Sequence, residues 1–158
     1  MFVKPGIFLA VAALMLISAT AVKADERYKP VQHENVVKEC GACHMAFQPQ
    51  MLPKKSWRKI IAGLADHFGE DASLKAPMSA SIEKYYVENA ANSGWRGGKF
   101  MRGLTDESAP LRITETPYWV REHNHEVPER AWKDPKVKSK ANCVACHPRA
   151  SLGIYEDD

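Results

Sequence analysis

Cysteine, long apolar runs, strand patterning and net charge are all scarce in this chain of 158 residues. The four cysteines stand at 40, 43, 143 and 146, and two motifs use all of them, so none is left for a disulfide framework. Beyond the amino terminus no apolar segment is long enough to span a membrane. Alternation of apolar and polar residues never lasts more than a few positions, so the fold class read from the sequence is mainly α. The formal charge is +3. Removing residues 1–24 takes away two lysines and no acid, which leaves +1. A near-neutral chain is not a nucleic-acid binder by composition.

What is present begins with an export pattern. Lys4 supplies a positive n-region, residues 7–17 form a short apolar run, and Val22-Lys23-Ala24 suits cleavage after Ala24. An uncleaved anchor is the competing reading, but the run is short for a span of about twenty residues. With a cleaved signal peptide, the protein is expected to be periplasmic, with no stable membrane insertion.

The two motifs are Cys40-Gly-Ala-Cys43-His44 and Cys143-Val-Ala-Cys146-His147. Cys-x-x-Cys-His is the signature of covalent c-type haem attachment. Each cysteine sulfur adds to one porphyrin vinyl group, and the two-residue spacer lets one turn present both sulfurs to the same macrocycle edge. The histidine that follows becomes the proximal iron ligand. Zinc could use four thiolates. Zinc gives no reason for a histidine at the same offset twice, and the two pairs are separated by most of the chain. A thioredoxin-like pair would need a βαβ context that is missing. The cofactors expected are two haems c.

Residues 25–158 would normally form one domain. A haem is a large apolar disc around which a short chain can build a core, so two small haem-centred units are expected instead. Residues 35–46 read as a short helix carrying the first motif. Ser56 is a candidate N-cap for a helix whose apolar residues Trp57, Ile60, Ile61, Leu64 and Phe68 recur at helical spacing, with Gly69 as terminator and His67 on the apolar face. A third helix is expected over 79–92, closed by Gly94. Residues 94–115 lose periodicity and read as a loop, which places the boundary between units 25–104 and 105–158. Thr116 as N-cap and Pro117 at the first position open a helix through Tyr118, Trp119 and His123, ended by Pro128. A turn around Trp132 follows, and Ser139 is a candidate cap for a helix bearing the second motif.

The sixth ligand on each iron decides between binding small molecules and transferring electrons. For the first haem His67 is the candidate, with Met78 as rival; His33 reads as a surface residue. For the second haem the choice lies between His123, one turn after Trp119, and His125. Trp57, Trp119, Trp132, Tyr85 and Tyr86 are candidates to pack on the macrocycles. Two basic groups, Lys54/Lys55/Arg58/Lys59 and Lys133/Lys136/Lys138/Lys140, are either solvated surface or docking sites for a partner.

Blocks beyond the haem motifs carry a resemblance: residues 39–47, Leu52-Pro-Lys-Lys-Ser-Trp57, Leu64-Ala-Asp-His-Phe-Gly69, Ile113-Thr-Glu-Thr-Pro-Tyr-Trp119 and residues 141–147. Over most of its length the chain resembles the bacterial periplasmic dihaem cytochromes c. The resemblance implies bis-histidine ligation of both haems, a class I cytochrome c-like amino-terminal unit and an irregular carboxy-terminal one. It carries His67 over as the first distal ligand, while His123-Asn-His125 offers two histidines where the pattern needs one. It also implies electron delivery to a small oxygen-binding monohaem cytochrome c, with a membrane cytochrome b as donor. The leading expectation is therefore an electron carrier, not an enzyme. The alternatives are an electron-transfer subunit of a periplasmic reductase and a dihaem peroxidase, although known dihaem peroxidases are much longer.

Overall fold

The computed structural model describes residues 26–94 and 97–155; the signal-peptide reading of residues 1–24 lies outside them. In chain order the elements are β1 (Glu26–Arg27), α1 (Glu34–Glu39), α2 (Lys54–Ala62), α3 (Ala76–Glu88), α4 (Pro117–Glu126), α5 (Glu129–Trp132) and β2 (Ile154–Tyr155), joined by loops and single 3-10 turns. The fold is mainly helical, as the missing strand pattern implies. β1 and β2 form an antiparallel pair, Glu26 opposite Tyr155 and Arg27 opposite Ile154, too short for any alternation to register in sequence.

Helix boundaries follow backbone chemistry that differs in places from the sequence reading. Helix α2 starts after Pro53, not at Ser56, which sits inside the first turn with its backbone N–H on the Pro53 carbonyl at 3.0 Å. The helix stops at Gly63, whose N–H reaches both Lys59 and Ile60 carbonyls, so it ends well before Gly69. Helix α3 begins at Ala76 because Pro77 is tolerated in a first turn, where its missing N–H costs nothing. It ends at Glu88 and does not continue to 92. Beyond it, the Ala91 N–H turns to the Leu52 carbonyl at 2.9 Å, and the Ala91 carbonyl accepts from Gly98 at 2.7 Å. Helix α4 starts as its sequence dictates: Thr116 Oγ1 accepts from the Trp119 N–H at 3.3 Å, with Pro117 first in the helix.

Helices α2 and α3 pack through Trp57 and Tyr86, stacked at 4.1 Å between ring centres. Trp57 Nε1 donates to the Pro49 carbonyl at 2.8 Å and the Tyr86 hydroxyl to Phe47 at 3.2 Å, so this pair fixes the chain leaving the first motif. These two rings therefore serve the interhelix core. The stretch 94–115 is less of a loop than its composition suggests, since it buries Phe100 and Ile113 on short 3-10 turns. Both join Tyr118 and Trp119 in one buried cluster with Val36, Leu52 and Ile82, so side chains from either side of position 104 pack together.

The carboxy-terminal segment is tied back to the start of the chain. Fully buried Gln48 donates to the Ala150 carbonyl at 2.8 Å and accepts from the Tyr155 hydroxyl at 2.6 Å. Tyr28 N–H donates to the Gly153 carbonyl at 2.8 Å. Gly153 has φ +77°, and a Cβ there would collide with the Tyr28 carbonyl, so two independent demands require glycine.

Candidate haem centres

Helix α1 runs into a 3-10 turn at Cys40–Ala42 and the helical path ends there, short of the expected Ala46. Cys40 is half-buried and Cys43 exposed. His44 Nδ1 lies 2.7 Å from the Met45 carbonyl and its ring stacks on Phe47 at 5.0 Å. With Nδ1 so engaged, the metal-binding role falls to Nε2.

His67 is not on a helix. After the 3-10 turn Leu64–Asp66 it enters a tight reversal, donating to the Glu70 carbonyl at 2.7 Å and accepting from the Glu70 N–H at 3.3 Å. Phe68 and Gly69 between them have φ of +58° and +99°, the two positive angles that mark a type I′ turn. Left-handed backbone is natural for glycine and strained for phenylalanine. The Arg112 guanidinium lies over the Phe68 ring at 4.1 Å and braces the turn from the opposite half of the chain. Burial, then the neighbouring His44 and Arg112, lower the His67 pKa and favour the neutral imidazole that a metal requires. The His44 and His67 rings face one another with centres 6.1 Å apart and planes inclined by 27°.

The second motif sits on one 3-10 turn, Cys143–Ala145, preceded by Asn142; Ser139 caps no helix here. Lys138, at φ +61°, interrupts any helical approach, and Asn142 Nδ2 instead donates to the Val137 carbonyl at 3.0 Å. Burial pushes the Cys143 thiol up to about 11 and holds the Tyr155 hydroxyl far above its ordinary value, which marks an apolar surrounding. His123 projects from α4 with Nδ1 2.9 Å from the Trp119 carbonyl and its ring stacked on the Trp119 indole at 4.0 Å and 14°. Its centre is 6.3 Å from that of His147, with planes at 85°. His125, two positions on, is exposed. Trp132 packs near both Trp119 and His123, and Tyr155 lies against His147 at 5.4 Å.

These separations test whether the chain fits iron. With a metal–nitrogen bond of about 2.0 Å and a ring centre about 1.1 Å beyond it, two imidazoles on opposite sides of one ion have centres about 6.2 Å apart. Both pairs meet that value. Met78, in the first turn of α3, packs against the hydrophobic core, and His33 lies tilted against Tyr85 at 5.0 Å between ring centres, with Nε2 3.2 Å from Ser81 Oγ. Among the described residues no three His, Cys, Asp or Glu side chains gather as a bare metal site.

The model of the family described as dihaem cytochrome c matches residues 36–155. The chain belongs to that family. A solved diheme cytochrome c from Rhodobacter sphaeroides is 42% identical, with a TM-score of 0.76 over 80% of this chain and 99% of that one. A diheme cytochrome type c from Shewanella baltica is 35% identical, with a TM-score of 0.65 over 80% of this chain and 89% of that one. No curated protein matches. As a dihaem cytochrome c the protein binds two haems c, through Cys40/Cys43 and Cys143/Cys146. The family consists typically of electron carriers rather than enzymes.

Several residues that shape these centres escaped the sequence reading. The Phe68-Gly69 pair is a turn signal that the helical spacing of its neighbours overrode. Gln48, Arg112, Gly153 and Tyr155 act through contacts with distant segments, and nothing local announces them.

Proposed function

We propose that this dihaem cytochrome c is a periplasmic electron carrier in which His44 with His67, and His147 with His123, close both axial positions of each iron. Each haem supplies a one-electron iron couple. The protein's part is to occupy the positions at which oxygen or peroxide would bind. The observation that carries this reading is the pair of ring separations, 6.1 and 6.3 Å, each fitting one ion between two histidines. A peroxidase would need one open position, and a second histidine standing about one ion's width from each motif histidine argues against it. The export pattern of residues 1–24 supports the periplasm, and among the described residues no helix is long and apolar enough to cross a membrane. The partner in this proposal is a small redox protein such as an oxygen-binding monohaem cytochrome c, with a membrane cytochrome b as donor.

Ligand binding and magnetic spectroscopy test the ligation. The reduced holoprotein should leave carbon monoxide unbound, and near-infrared magnetic circular dichroism should lack the methionine charge-transfer band. His67→Ala should open one haem, and only one, to carbon monoxide. Carbon monoxide binding by the unaltered protein, or a methionine band that vanishes in Met78→Ala, would refute the reading.

A further inference from the structure

The two histidine pairs share a separation but not an orientation. The planes of His44 and His67 are inclined by 27°, those of His123 and His147 by 85°. We propose that Trp119 is a positioning residue that locks the His123 imidazole at right angles to that of His147, making the two irons electronically unlike. The inference rests on the bis-histidine reading above. The hydrogen bond from His123 Nδ1 to the Trp119 carbonyl fixes one atom of the ring, which leaves it a rocking motion about that contact. Stacking at 4.0 Å and 14° on the indole of the same residue removes that motion.

Trp119 is itself rigid. It is buried, its N–H is held by Thr116 Oγ1, Trp132 packs 5.8 Å away, and the Lys140 ammonium lies 5.9 Å from its ring centre. Among the described residues the distal histidine of the first centre has no equivalent clamp. The aromatic neighbour of His67 is Phe68, tilted by 59° and half exposed on the strained turn.

Imidazole planes matter because each ring donates π density into the iron d orbital perpendicular to its plane. Near-parallel rings act on the same orbital and split the pair, which gives a rhombic low-spin ferric spectrum. Perpendicular rings act on one orbital each and leave the pair nearly degenerate, which gives a strongly anisotropic low-spin spectrum with one very large g value.

Low-temperature electron paramagnetic resonance of the oxidised holoprotein should therefore show one signal of each kind in equal amounts. His67→Ala should remove the rhombic signal alone. Trp119→Leu should move the anisotropic signal toward the rhombic form while that haem stays six-coordinate and low-spin, and Trp119→Phe, which keeps a flat stacking face, should largely restore it. Two rhombic signals in the unaltered protein would overturn the proposal without a folding variant. An anisotropic signal unmoved in Trp119→Leu would overturn the role of Trp119. A high-spin second haem would instead remove His123 from the iron, and the ligation reading would fall with the inference.

Discussion

At the first centre the histidine facing His44 stands on a strained turn beside a helical core, whereas at the second the histidine near His147 stands on a capped helix in a region otherwise almost without regular structure. The first stands against α2 and α3, with Trp57, Tyr86, Leu52 and Ile82 buried between them. After Trp119, the buried apolar side chains among the described residues are Val137 and Ala150. A segment with so few buried side chains cannot offset the entropy of ordering its backbone, about 1–2 kcal/mol per residue. On this comparison side chains organise the first centre, and a bound haem would have to supply most of the second centre's core.

Removing each attachment site in turn is the largest test of this contrast. In Cys143→Ser/Cys146→Ser, hydrogen exchange over residues 127–152 should lose most of its protection while α2 and α3 keep theirs. In Cys40→Ser/Cys43→Ser, α2 and α3 should retain partial protection, because they also pack directly on each other through Trp57 and Tyr86. Intact mass should fall by one haem in each. Protection over 127–152 that survives loss of the second haem would end the argument.

A smaller effect is expected where the two regions are joined. Gly153→Ala demands a left-handed alanine and drives its Cβ into the Tyr28 carbonyl, at the seam that also holds Tyr155 near Gln48 and His147. A loss of about 2–4 kcal/mol is expected by denaturant unfolding. At low temperature both haems should keep native spectra, since no iron ligand is touched. A cost below about 0.5 kcal/mol, the level of an ordinary surface substitution, would mean that the seam does not couple the two halves.

The same contrast explains what could be read from sequence. Thr116-Pro117 announced α4 because a cap and a first-turn proline are local signals, and with them came the placement of His123 one turn after Trp119. The neighbourhood of His67 misled, because Leu64 and Phe68 happen to continue the spacing of Ile60 and Ile61 beyond the point where Gly63 ends the helix. His67 nevertheless comes to face His44, by a turn rather than a helix face. The sequence places the second motif on a helix capped by Ser139, whereas a single 3-10 turn presents both cysteines. The β1–β2 pair and the Gln48 bonds depend on residues more than a hundred positions apart, which no local pattern encodes.

The smallest expected effect concerns charge, and here too the two regions differ. Around the first centre the basic residues are partly answered: Lys55 is paired with Glu107, and Arg58 Nε lies 3.9 Å from Glu83. Around the second, Lys133, Lys136 and Lys138 are exposed, and among the described residues no carboxylate lies within ion-pair distance of them. Lys140 stands over the rings of Trp119 and Trp132, beside the His123 pair. Electron transfer between proteins needs fast association and fast release, so such interfaces are small and steered by charge. An acidic redox partner should approach the second centre, and the bimolecular rate should fall as salt rises, because screening shortens the reach of exposed charges to about 8 Å at physiological ionic strength. Lys136→Glu/Lys138→Glu should slow that rate roughly tenfold at low salt and leave both haem spectra unchanged. Reversal at Lys54 and Lys59 should matter less. Stopped-flow mixing with the partner over a salt series distinguishes the cases: a rate indifferent to salt and to the first pair of reversals, but lowered by the second, would move electron exchange to the first centre.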